Sequence, residues 1–184
     1  VELFRAAATE SSEFGASLRL ISDRHLGRTL IYSAALDHYV IDSARTGAPS
    51  NGVRFIAYEQ DSAGTPIAAR EIGYADLLDE GANTGNTITL RLKVVIRDIT
   101  TLDYRTAVDL SPTAGSIDVT GFAVDGPARL DFTIGVDARR VDTRTLIDAD
   151  FDLSVPTRSF NVVGTVRNVA EGVDGEGEIT VTAK

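Results

Sequence analysis

Among 184 residues there is no cysteine, no methionine and no tryptophan. Without thiols the chain has no disulfide framework, no thiolate nucleophile and no cysteine-ligated zinc or iron–sulfur centre. Lysine is nearly missing too: sixteen of the 18 basic residues are Arg, and only Lys93 and Lys184 are Lys. Histidine occurs twice, at His25 and His38, so any imidazole chemistry must use one of these. No G-x-S-x-G elbow, H-E-x-x-H pair, P-loop or dinucleotide-type glycine fingerprint occurs. No apolar run approaches the ~20 residues of a membrane-spanning helix, so no such segment is expected. The chain opens on Val1 and holds no Met, for which a removed secretory leader is the simplest account and a trimmed chain the rival. The expected location is therefore secreted, periplasmic or at the cell surface.

Charge is weighted to one side. With 27 acidic against 18 basic residues the formal net charge is -9, which repels a polyanion, and the basic residues are scattered; no nucleic-acid partner is expected. The balance of 43% hydrophobic and 24% charged residues is that of an ordinary folded domain. A single domain over residues 1–184 fits the length, and a chain of this size buries about 70% of its unfolded surface.

What the sequence does have is period-two alternation, which places residues i, i+2 and i+4 on one side of a strand. Ile88, Leu90, Leu92, Val94 and Ile96 alternate with polar neighbours, broken only by Val95. Leu130, Phe132, Ile134, Val136 and Ala138 repeat the design, as do Ile147, Ala149, Phe151, Leu153 and Val155. Phe160, Val162, Gly164 and Val166 make a fourth such face and Ile179, Val181 and Ala183 a fifth. Tyr104, Thr106, Val108 and Leu110 predict a shorter strand. Between residues 116 and 125 the apolar parity switches at Gly121, which predicts a β-bulge there. Short turns such as Asp125, Gly126 and Pro127 link these strands into a meander of hairpins.

The first half is less regular. Strands are expected over residues 30–41, 53–61 and 67–74, with one helical turn over residues 74–79. The expected class is all-β, as an antiparallel sandwich with a meander-rich C-terminal half, or alternatively as a closed or cupped β-barrel. An outer-membrane barrel alternates similarly, but the absence of Trp and a total of 12 Phe and Tyr argue against its aromatic girdles.

Candidate chemistry is sparse. Asp148, Asp150 and Asp152 share one strand face, and calcium needs more oxygens than one face supplies, so a solvated acidic surface is the expectation. Asp174 and Glu176 lack the EF-hand spacing. Tyr32, Tyr39, Tyr58, Tyr74 and Tyr104 at strand positions read as cross-strand packing. No catalytic residue, cofactor or metal is expected. The functional expectation is a non-catalytic structural or interaction domain of an extracellular or cell-surface assembly, whose partners are copies of itself or another surface protein. Residues 1–15 are the candidate donated strand, with Val1, Leu3 and Phe4 as its partner-binding residues. The alternatives are a carrier holding a small apolar ligand in a barrel pocket, and a secreted hydrolase using two carboxylates.

Overall fold

A computed structural model describes residues 21–81, 86–111, 114–141, 144–156, 158–168 and 176–183. Eleven strands follow one another: β1 (Arg28–Ser33), β2 (His38–Asp42), β3 (Gly52–Gln60), β4 (Pro66–Asp79), β5 (Thr87–Ile96), β6 (Ile99–Leu110), β7 (Ala114–Asp125), β8 (Ala128–Val141), β9 (Arg144–Val155), β10 (Arg158–Asn168) and β11 (Glu176–Ala183). The fold is all-β, as the alternation requires. All eleven strands belong to one hydrogen-bonded sheet in the order β11-β10-β9-β8-β7-β6-β5-β4-β3-β1-β2. From β3 to β11 each strand pairs antiparallel with the next, and among the described residues the one parallel pair is β1 with β3. The closed-barrel alternative fails on this order: closure needs the two end strands to pair, whereas β2 and β11 lie at opposite ends.

Four local expectations are corrected. Residues 30–41 form two strands, because Asp37 takes a left-handed φ of 53° and folds β1 back on β2; Asp is one of the few side chains that tolerates this. Residues 74–79, expected as a helical turn, extend β4 and pair with β5 through to Asp79 and Leu90. Expected from residue 104, β6 begins at Ile99. At Gly121 the register with β6 and β8 is unbroken. The parity switch instead reflects Phe122 on the polar side of the sheet, with the Arg129 guanidinium 3.9 Å above its ring. The real irregularities lie between Val94 and Val95 in β5, and beside Tyr58 in β3. At the first, β4 passes so close to β5 that a Cβ on Gly73 would sit 1.9 Å from the Val95 carbonyl oxygen.

Among the described residues deep burial is concentrated at one end of the sheet. Ile21, Leu30 and Val53 form one cluster, with Leu26, Phe55 and Leu77 packed against it. Tyr32, Ile56 and Tyr58 form a second. The segment before β1 thus lays Ile21 and Leu26 over the apolar side of β1, β3 and β4. Beyond β4, among the residues whose side chains are described, Ile88 and Val95 are the apolar ones buried to the same degree.

Candidate functional site: the two faces and two edges of the sheet

In an antiparallel ladder, directly opposed residues project from the same face, so the register sorts the side chains into two sides. One row reads Val53, Leu77, Leu92, Tyr104, Gly121, Phe132 and Leu153 across seven strands. The next row reads Leu90, Thr106, Val119, Ile134 and Phe151, and the one after it Ile88, Val108, Ile117, Val136 and Ala149. The same rows continue by register to Phe160, Val162 and Gly164 in β10 and to Ala183, Val181 and Ile179 in β11. From β5 to β9 the polar groups of these rows are Thr106 and the Tyr104 hydroxyl, and in β4 the Leu90 row ends on Asp79.

On this apolar face the side chains of β6 to β9 are half-buried, and Ile117 and Leu110 are 37% and 51% exposed. Neighbours within the same layer screen a strand side chain from the sides; removing it from water altogether takes a second layer, as in sandwiches. At the centre, Gly121 leaves room between its neighbours, and Tyr104 and Phe132 meet with ring centroids 6.3 Å apart. A Cβ at Gly121 would fall 2.3 Å from the Tyr104 Cβ, so only glycine admits this approach.

The opposite face is charged and internally paired. Arg54 donates to both carboxylate oxygens of Asp76 at 2.7 and 2.8 Å, and its guanidinium lies 3.7 Å from the Tyr74 ring centroid. Arg91 donates to both oxygens of Asp103 at 2.7 Å and reaches Glu80 at 3.3 Å. Those hydrogen bonds hold the Asp103 carboxyl below the usual carboxylate range and raise the Arg91 guanidinium further. Arg45 grips Glu71 with two donors and lowers its carboxyl in the same way. Arg129 does so for Asp131. Such two-pronged pairs fix side-chain geometry and neutralise charge on the sheet surface.

The acidic series falls where period two requires: Asp148, Asp150 and Asp152 share the polar face of β9. Asp148 stands directly opposite Asp137, an unfavourable like-charge pair that Arg139 relieves at 3.4 Å from Asp148. With Asp109 and Ser116 they line a shallow cleft of about 350 Å3. Among the described residues no three His, Asp or Glu side chains are grouped to hold a metal ion. A second shallow cleft, of about 500 Å3, lies among Glu59, Glu71, Tyr74 and Arg97.

His25 lies in the turn before β1, and His38 opens β2 with its Nδ1 2.8 Å from the Leu36 carbonyl oxygen. The adjacent Asp37 accepts the Tyr32 hydroxyl at 2.6 Å, which raises the phenol's pKa. Tyr32 and Tyr39 are register partners with ring centroids 6.0 Å apart, and Tyr39 meets Phe55 at 5.6 Å, so these rings pack on one another across strands. Burial pushes the Tyr39 phenol up as well, and its hydroxyl donates to the Ile56 carbonyl oxygen at 2.9 Å.

Val1, Leu3 and Phe4, and with them residues 1–15, lie outside the described residues, as do Asp174 and the side chain of Glu176. Sequence reasoning identified the apolar stripe of each strand singly and missed that the stripes align into one continuous surface. The signal was present in the equal spacing of the stripes and the two-residue turns between them. Searches of protein-family models, curated proteins and solved structures find no match to this chain.

Proposed function

We propose that this chain is a non-catalytic interaction module of an extracellular or cell-surface assembly, which joins copies of itself by adding a strand to an open sheet edge. The observation that carries this reading is the sheet's openness: among the described residues its order ends at β2 on one side and β11 on the other. An edge strand presents a row of backbone donors and acceptors that an extended segment can complete. Proteins that avoid such pairing blunt their edges with Pro, Lys or bulges. Neither HYVID of β2 nor EGEITVTA of β11 contains Pro or Lys, and both pair with their inner neighbours without a register shift. The donated segment on this reading is residues 1–15, with Val1, Leu3 and Phe4 supplying apolar contacts.

The internal pairing of the charged face supports a surface role over a catalytic one, since Arg54, Arg91 and Arg129 each already hold a carboxylate. Light scattering after size exclusion tests the reading on the intact chain and on a chain lacking residues 1–15. The intact chain forms species that grow with concentration, while the shortened chain remains β-rich by circular dichroism and forms no open-ended series. Growth that survives the deletion, a deletion that unfolds the sheet, or an intact chain with no open-ended series contradicts strand donation.

A further inference from the structure

We infer that the apolar face of β5 to β9 packs face to face on the same face of a second copy, so that the two sheets complete one sandwich. The inference concerns a different surface from the sheet edge and does not depend on strand donation. Three observations favour this occupant.

The first is area. Five strands at about 4.8 Å spacing and some ten residues at about 3.4 Å rise give a face of about 800 Å2 per copy. A stable specific interface takes about 800 Å2 from each partner. Among the described residues the cover laid by Ile21 and Leu26 reaches the β1–β3–β4 end, and the face of β5 to β9 begins where that cluster ends.

The second is composition. Leu92, Val119, Phe132, Ile134 and Phe151 stand in adjacent rows and are half-buried. A two-fold pair brings identical patches together, so in a face-to-face pair these apolar rows meet apolar rows. An open sheet of eleven strands is also at the limit of what persists as a single layer.

The third is charge. The ion pairs and the acidic row occupy the opposite face, so in a face-to-face pair they point away from each other. Stacked sheets sit about 10 Å apart, which puts the outer charged layers well beyond the ~8 Å screening length. A net charge of -9 on each copy therefore costs little in this arrangement. The same charge opposes an anionic lipid surface.

The absence of cysteine gives a clean test. Val119→Cys places a thiol on the apolar face and Thr133→Cys one on the polar face. Each variant is checked by circular dichroism, and its reaction with a water-soluble thiol reagent is timed from dilute solution to about 100 μM, where a micromolar interface is saturated. The proposal expects a mass of at least two chains by light scattering and a slowing of Val119→Cys labelling by tenfold or more as concentration rises. The Thr133→Cys rate stays constant. A second variant, Val119→Thr with Ile134→Thr, keeps β-branching at both positions while placing hydroxyls on the face, and weakens the pair at least tenfold with the fold intact. If the chain associates while Val119→Cys labels equally fast at every concentration, the copies meet elsewhere and face pairing is overturned. A chain that stays monomeric to 100 μM overturns it too, whether or not that monomer binds phosphatidylcholine vesicles. Should Val119→Cys not fold, the mass of the intact chain and of the double-threonine variant decides.

Discussion

At Gly121 a missing side chain organises its neighbours. The Tyr104 and Phe132 rings flank a position where a Cβ would lie 2.3 Å from the Tyr104 Cβ and 2.4 Å from the Asp103 carbonyl oxygen. Backbone must therefore move to admit even a methyl group. Gly121→Ala is expected to cost about 1–3 kcal/mol, as overpacked substitutions do, read as a lower denaturant midpoint at unchanged slope. Asp103 makes the second residue-level case. Arg91 holds its carboxyl below the usual range, while in the unfolded chain it titrates near ~3.9. A carboxyl depressed in the folded state adds stability that is complete above the unfolded value and is lost as pH falls through the folded one. Denaturation at pH 6 and pH 3 should therefore show a smaller loss for Asp103→Asn than for the unaltered chain; an equal loss would mean that the Arg91 pair contributes nothing.

At the scale of the element, the hairpins set which stripe meets which. β7 joins β8 through Gly126 and Pro127, with Gly126 at φ 56° and Pro fixing its own φ near ~-65°, the requirement of a type II′ turn. β5 joins β6 through Arg97 and Asp98, both at positive φ, 49° and 64°. Such a type I′ turn favours Asn-Gly, and non-glycine residues there carry strain of about 1 kcal/mol or more each. Arg97 gives little in return, its contact with Glu59 being 3.8 Å long and largely exposed. Arg97→Asn with Asp98→Gly is therefore expected to raise stability by about 1 kcal/mol or more. An unchanged thermal midpoint would contradict this account of the turn.

Elements also show where the sequence was readable. The stripes of β5, β8, β9, β10 and β11 stood out because alternation reports one strand's two sides directly. The fold of β1 onto β2 was hidden because Asp37 carries its left-handed turn without a glycine to mark it. Phe122 misled in the other direction: an apolar ring on the charged face looks like a bulge unless its cover, Arg129 from the next strand, is known. The Val95 irregularity was visible as a break in alternation, yet Gly73, which lets β4 approach the Val95 carbonyl, lies 22 residues away in sequence and only strand pairing joins them.

For the whole molecule, the all-β class followed from period two, but neither the number of sheets nor their closure did, because both depend on which strand lies at each end. The parallel pairing of β1 with β3 and the position of β11 at the far edge leave a sheet with two ends and an apolar side. The proposed interaction site is thus a property of assembled strands, legible in no single segment. Association is the central claim, and the most direct measurement is sedimentation equilibrium of the intact chain from dilute solution to about 100 μM. The account predicts a weight-average mass that rises with concentration to at least twice the 19.6 kDa of one chain. A mass that stays at 19.6 kDa throughout would contradict it.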